Sequence, residues 1–97
     1  MKHFIIELAY SIPSEQLGDA IAEHRLFLQT GYKKGWLLVS GPQVPMTGGI
    51  VVARAPSLEA LVEFFQDDPF QVRGLAKYRY VEFDPRWYQP FMDGWLK

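Results

Sequence analysis

Cysteine is absent from this chain of 97 residues. That absence excludes disulfide bonds, thiolate nucleophiles and thiolate metal ligands together. The lysines and arginines do not cluster, and the formal net charge is −1. Because binding to phosphate backbones needs clustered positive charge, we expect no nucleic acid partner. No apolar run approaches the roughly 18 residues of a membrane-spanning helix, so we expect a cytoplasmic protein with no membrane partner.

Aromatic residues, by contrast, are abundant and make up 15% of the chain. Several lie close to the C-terminus: Trp87, Tyr88, Phe91 and Trp95. A large ring buries on the order of 150–250 Å² when it packs, so this tail should lie across the domain, close a pocket or pack on another subunit. The length predicts one domain over residues 1–97, with residues 87–97 as an aromatic C-terminal extension.

The pattern of apolar residues predicts the element order β-α-β-β-α-β. The predicted strands cover residues 2–10, 34–40, 50–54 and 77–83. One helix is expected over residues 14–30, with Ser14 as its N-cap and Gly31 after its end. A second helix of about ten residues follows Pro56, and residues 70–75 form a short helical turn. This order is that of the ferredoxin-like α+β fold, in which two helices cover one face of a four-stranded antiparallel sheet.

The second face of the predicted sheet also carries apolar residues, among them Ile5 and Ala9. An antiparallel sheet that exposes one face to water is normally polar there. We therefore expect a second copy of the chain to cover this face in a homodimer whose sheets pack together. The alternative is that the C-terminal tail covers the face within one chain.

His24 interrupts the apolar stripe of the first predicted helix. The stripe consists of Leu17, Ala20, Ile21, His24, Phe27 and Leu28. A buried imidazole needs a hydrogen-bond partner, because an unpaired buried polar group costs about 1–3 kcal/mol. His24 is therefore either a core histidine bonded to a backbone carbonyl or a general base, since a histidine with its usual pKa of about 6.5 suits proton transfer.

Asp68 is the partner that we predict for His24. In this fold the two helices lie side by side, so a residue of the first can meet a residue just past the end of the second. A carboxylate on one imidazole nitrogen fixes the tautomer and stabilises the imidazolium. Asp67 is a competing carboxylate, and an Asp-Pro pair also often simply forms a turn. One histidine and these carboxylates make no convincing zinc site, so we expect no metal.

Further contacts to a small-molecule ligand are expected from Ser40, Gly41 and Pro42, which end the second predicted strand. The Ser40 hydroxyl could line the same pocket as His24, although a turn is the plainer interpretation and no base stands near it in sequence. Trp36 is expected to supply an apolar wall, together with members of the tail. Phe70, just after Asp68, is the last predicted substrate contact.

The segments EHRLFL, SGP and DDPF, in this order and at these spacings, resemble the YciI-like (YCII-related) family over essentially the whole chain. The resemblance implies a dimeric α+β barrel, built from ferredoxin-like protomers that pair through their sheets. It also implies an active-site histidine–aspartate pair, which maps onto His24 and Asp68, while the Ser/Gly-Pro segment of the family maps onto residues 40–42. It implies no substrate, because the tail of residues 87–97 departs from the shortest members.

The sequence therefore favours a cofactor-free enzyme that acts on a small cyclic or aromatic molecule. His24 would be the general acid/base and Asp68 its orienting partner, for isomerase, lyase or elimination chemistry. The alternative is a small-molecule-binding or regulatory homodimer without turnover. Two further hypotheses are a purely structural homodimer with His24 in its core and a cofactor-free oxygenase.

Overall fold

An antiparallel sheet of four strands organises the chain, and the computed structural model describes residues 1–97. The strands are β1 (Lys2–Tyr10), β2 (Leu37–Pro42), β3 (Gly48–Ala55) and β4 (Ala76–Phe83). Their order across the sheet is β2-β3-β1-β4. The helices are α1 (Ala20–Lys33), α2 (Leu58–Phe65), α3 (Pro69–Val72) and α4 (Asp93–Leu96). The predicted ferredoxin-like α+β fold is confirmed.

The core lies between the sheet and the helices α1 and α2. Along β1 the alternate residues Phe4, Ile6 and Leu8 are buried, because successive side chains of a strand point to opposite faces. Their partners on β3 in the antiparallel register include Val51 and Ala53, which are also buried. Helix residues complete the same core: Ala20, Leu28, Leu61 and Phe65. No helix of the chain combines the length and the apolar character needed to cross a membrane.

Helix α1 begins and ends later than its apolar stripe predicts. Ser14 opens a single-turn 3-10 helix (Ser14–Gln16) and is not the N-cap of α1. Gly18 separates this 3-10 helix from α1, because its φ of +57° is a left-handed conformation that a right-handed helix cannot contain. Gly31 lies inside the helix, and Gly35, at a φ of +80°, follows its end. The predicted bounds of residues 14–30 are therefore wrong at both ends.

Gly31 is needed for close packing rather than for helix termination. A Cβ atom at this position would lie 2.7 Å from the side chain of Leu37 and 2.9 Å from that of Phe64. Both distances are shorter than atomic packing allows. The missing side chain thus lets β2 and α2 approach the last turns of α1.

Strand β2 begins at Leu37, three residues later than predicted, because the chain is still leaving α1. The Trp36 amide donates to the carbonyl of Gly31 at 3.0 Å, which closes the end of the helix. The pairing of β2 with β3 then shifts by one residue between Leu37 and Val39. Leu37 faces Ala53, whereas Val39 faces Val52, so one extra residue of β2 lies between these two pairs.

Polar side chains cap the N-termini of both α2 and α3. Ser57 is the N-cap of α2, and its hydroxyl accepts from the amide of Ala60 at 3.1 Å. Asp68 caps α3 in the same way, by accepting from the amide of Phe70 at 3.1 Å. Helix α3 is the short helical turn expected over residues 70–75, but it begins one residue earlier and ends at Val72. Gly74, with a φ of +66°, leads from it towards β4.

The C-terminal tail lies against one end of the sheet and leaves several aromatic rings exposed. The Arg54 guanidinium lies 4.1 Å from the centre of the Trp95 ring and donates to the Trp95 carbonyl at 2.8 Å. Arg54 is paired with His3, on the face of the sheet opposite the core. Trp87 and Phe91 remain 91% and 84% exposed. The tail is therefore anchored to the rest of the chain at Trp95, while Trp87 and Phe91 stay exposed.

Candidate active site

A cavity of about 200 Å³ opens between α1 and the end of the sheet where β1, β2 and β3 meet. The helix supplies Ile21, His24, Arg25 and Leu28 to its lining. The strands and their ends supply mainly apolar side chains and the segment of residues 40–42, and Phe70 adds a wall from α3. Five of the seven site residues predicted from the sequence line this cavity: His24, Ser40, Gly41, Pro42 and Phe70.

His24 and Asp68 are in direct contact. The Nδ1 atom of His24 lies 2.8 Å from Oδ1 of Asp68. The Asp68 side chain is fully buried, whereas that of His24 is 13% exposed. Pro69 holds Asp68 in an extended conformation, and this turns the carboxylate back towards α1. The competing Asp67 is exposed and lies beside the groove that contains Trp36.

Both oxygens of the Asp68 carboxylate accept hydrogen bonds from the protein. Oδ1 also accepts from the amide of Phe70, and Oδ2 accepts from the hydroxyl of Tyr78 at 2.6 Å. The carboxylate is therefore held in place by donors on both of its oxygens. Tyr78 did not emerge from the sequence, although a buried tyrosine normally needs a partner for its hydroxyl.

Burial strongly affects the acidity of Tyr78. It raises the pKa of the phenol well above its usual range, and the hydrogen bond to Asp68 and the negative charge of the carboxylate raise it further. The hydroxyl therefore keeps its proton and remains a donor to Asp68. Burial also raises the pKa of Tyr80 to about 12, with the charge of Asp68 as the second cause.

The imidazole of His24 is also fixed in orientation. Its ring stacks on that of Phe70, with 4.1 Å between centroids and 10° between planes. Phe70 in turn meets the Tyr10 ring edge-on, at 5.7 Å. The second nitrogen of His24, Nε2, has no hydrogen-bond partner in the chain. One nitrogen is thus tied to a carboxylate, and the other remains available at the cavity.

Ser40 contributes a second polar group to the cavity. Its hydroxyl lies 2.6 Å from that of Tyr32, a residue of α1 two turns beyond His24. The sequence pattern gave no sign of Tyr32, because the contact joins a helix to a strand. Since Ser40 pairs with Tyr32 and not with His24, the two residues do not form a Ser–His nucleophile pair.

Trp36 does not line this cavity, so its role as a substrate contact stays a prediction that the cavity does not support. Its ring packs 5.9 Å from that of Phe64, and the ammonium of Lys34 lies 4.2 Å above it. The physical reason is its position just before β2, at the end of the strand opposite Ser40. No residue of the tail lines the cavity either.

Residues 2–84 match the YCII-related domain. The chain belongs to this family. The YCII-related match includes every residue of the cavity lining and ends before the aromatic tail. No curated protein matches the chain.

One similar solved structure is 5-chloro-2-hydroxyhydroquinone dehydrochlorinase from Burkholderia phenoliruptrix AC1100, in complex with 2,5-dihydroxybenzoquinone. It is similar to this chain with a TM-score of 0.67 and 24% sequence identity. The similarity covers 92% of this chain and 96% of that one. At this level of identity the likeness shows the shared fold.

Proposed function

We propose that this YCII-related protein is a cofactor-free enzyme in which His24 transfers protons to and from a small cyclic or aromatic molecule. One observation carries the proposal: Nδ1 of His24 is bonded at 2.8 Å to a fully buried carboxylate, while Nε2 is left without a partner beside a cavity. Geometry of this kind suits a general base.

The contact with Asp68 defines the chemistry of the imidazole. The ionised carboxylate accepts a hydrogen bond from the N–H at Nδ1, so the neutral ring carries its lone pair on Nε2. When Nε2 removes a proton from a bound molecule, the charge that develops on the imidazolium lies next to the charge of Asp68. The electron pair left on the substrate can then form a new double bond as a leaving group departs with its own pair. The same base supports isomerisation when the proton returns to another atom.

The cavity supports a ligand built on a single ring. An apolar cavity of about 150 Å³ in another protein accommodates benzene, and this cavity measures about 200 Å³. Its polar contacts are few and include Ser40 and Arg25, which suits a ring bearing hydroxyl or carbonyl oxygens. That the similar dehydrochlorinase is in complex with 2,5-dihydroxybenzoquinone supports the same ligand class here.

Turnover of chlorinated and hydroxylated hydroquinones tests the proposal, with loss of substrate followed by absorbance and chloride release. We expect His24→Ala and Asp68→Asn to abolish turnover while the fold is retained by circular dichroism. Asp67→Asn is the matched control, because it removes a neighbouring but exposed carboxylate. Wild-type turnover in either site variant would refute the assigned role.

A binding module without turnover is the second candidate. The hydrogen-bonded pair of Ser40 and Tyr32 favours it, since two adjoining hydroxyls can either donate to or accept from a ligand oxygen. In that case 2,5-dihydroxybenzoquinone should raise the melting temperature in proportion to its occupancy and be recovered unchanged. Chemical conversion of the ligand would exclude this candidate.

A homodimer through the open face of the sheet is also proposed, and the tail is expected to take part. Large apolar side chains remain accessible on that face: Val39 at 55%, Val81 at 37% and Phe83 at 42%. The exposed rings of Trp87 and Phe91 add to this apolar surface. Sedimentation equilibrium should give twice the monomer mass of 11.2 kDa, and Val81→Lys should shift the mass towards the monomer. A wild-type protein that sediments as a monomer at high micromolar concentration would contradict this proposal.

A further inference from the structure

We propose that Tyr78 is a positioning residue of the site: its hydroxyl keeps Asp68 ionised and aimed at His24, and thereby keeps the proton of the neutral imidazole on Nδ1. The inference rests on the proposed role of His24 as a base. It starts from a contact that no sequence motif predicts, the 2.6 Å hydrogen bond from Tyr78 to Oδ2 of Asp68.

The carboxylate is held at both ends. Oδ1 accepts from His24 at 2.8 Å and from the amide of Phe70 at 3.1 Å, while Oδ2 accepts from Tyr78. An ionised carboxylate has only acceptors to offer, so these donors all favour the charged form. A backbone amide can never accept a proton in return. Because the phenol of Tyr78 donates to Oδ2, it favours the ionised form of the carboxylate at that oxygen.

The protonation state of Asp68 decides which nitrogen of His24 faces the ligand as a base. With Asp68 ionised, Nδ1 must donate and Nε2 carries the lone pair. If Asp68 instead carried a proton, it would donate to Nδ1, and the proton of the ring would move to Nε2. The same imidazole would then be a donor to the ligand and could no longer accept a proton from it. Tyr78, on β4 and away from the cavity lining, therefore selects the chemistry at the cavity.

None of the neighbouring charged side chains donates a hydrogen bond to the Asp68 carboxylate in place of Tyr78. Arg25 of α1 and Tyr10 of β1 line the cavity, but neither bonds to the carboxylate. Arg73 of α3 is engaged at the surface, where it lies within 3.3 Å of the carboxylates of Asp19 and Glu23 on the α1 side.

Tyr80 provides a matched control on the same face of β4. Its ring lies 6.4 Å from that of Tyr78, and both rings pack against Phe65. Its hydroxyl forms no hydrogen bond to Asp68. Tyr80→Phe therefore removes a phenolic hydroxyl from the same cluster without touching the carboxylate.

The experiment follows His24 by ¹H–¹⁵N NMR across pH in the wild type, Tyr78→Phe and Tyr80→Phe, with His3 as the internal reference. Wild-type His24 should show the Nδ1–H form when neutral. In Tyr78→Phe the carboxylate loses a donor, so the His24–Asp68 pair should bind an added proton more tightly. The midpoint of the His24 titration should then move to higher pH by on the order of one unit. Asp68→Asn should move it the opposite way. Tyr80→Phe and His3 should not respond.

An unchanged midpoint in a folded Tyr78→Phe protein would overturn the proposal, and so would an equal shift in Tyr80→Phe, which would indicate packing alone. If Tyr78→Phe does not fold, a ring-fluorinated tyrosine placed at position 78 is a stronger donor and should lower the midpoint. No shift would again overturn the proposal. A shifted midpoint together with wild-type turnover in His24→Ala would refute the proposed function and leave the positioning role of Tyr78 intact.

Discussion

Replacing Asp68 by alanine should destabilise the fold as well as the site, because this one carboxylate serves both. It is fully buried and accepts from three donors: the amide of Phe70, the hydroxyl of Tyr78 and Nδ1 of His24. The first contact caps helix α3, and the other two tie β4 and α1 to that cap. Alanine deletes all three acceptors at once and puts nothing in their place.

The expected loss follows from the burial of each partner. Removal of a helix N-cap costs about 0.5–2 kcal/mol, and a buried donor left without an acceptor costs about 1–3 kcal/mol. His24 is 13% exposed and can turn to water, so only Tyr78 is counted in full. The sum is about 3 kcal/mol, a large share of the roughly 5–15 kcal/mol by which domains are stable. For a domain of this size that corresponds to a fall in melting temperature of about 12–24 °C.

Urea unfolding of the wild type, Asp68→Ala and Asp68→Asn measures these losses. Asparagine keeps the shape of the side chain and an acceptor for Phe70, so it should cost only about 1 kcal/mol. A loss below about 1 kcal/mol for alanine, or equal losses for both variants, would refute the reasoning that the acceptors of Asp68 stabilise the fold.

Further predictions concern other parts of the chain. Gly31→Ala should cost about 1–3 kcal/mol in urea unfolding, because its Cβ would overlap Leu37; an unchanged midpoint would show that the contact relaxes freely. Arg54→Met should release the tail, seen as a red-shifted Trp95 emission and faster proteolysis at the C-terminus, and protection equal to the wild type would argue against this anchor. Burial raises the pKa of Tyr80 to about 12, so its contribution to stability is complete below the unfolded value of about 10 and is lost as pH rises towards 12. Between pH 8 and pH 11 the melting temperature should therefore fall by less in Tyr80→Phe than in the wild type. An equal fall in both proteins would contradict this.

Much of the fold could be predicted because its strands alternate clearly. The bounds of β1 agree with the prediction of residues 2–10, since a complete alternation leaves little freedom. The prediction sets the start of the first helix too early because the apolar period continues across Gly18, where only the backbone conformation reveals the break. The sequence predicts Gly31 after the helix end, whereas it lies within α1, because close packing and chain reversal both select glycine.

The candidate site was predictable where it depended on local pattern and not where it depended on distant contacts. His24 stands out within an apolar stripe, and the position of Asp68 before a proline made it a candidate. Spacing alone could not separate Asp68 from its neighbour Asp67, since that choice depends on the conformation at Pro69. Tyr78 reaches the site across the fold, so no local pattern marks its contact with Asp68. The alternation of Tyr78 and Tyr80 along β4 indicates only that both side chains share one face of the strand.

The one-residue shift in the pairing of β2 has a consequence for the cavity. In an unbroken strand that starts with Leu37 turned towards the core, the next residues on that side would be Val39 and Gly41, and Ser40 would point the other way. The extra residue at Leu38 is a β-bulge, and it reverses the alternation beyond it. Val39 is therefore exposed on the open face, while Ser40 meets Tyr32 beside the cavity. A single inserted residue thus places Val39 on the surface proposed for association and the Ser40 hydroxyl beside the cavity. The backbone of this short strand therefore shapes the cavity as much as its side chains do.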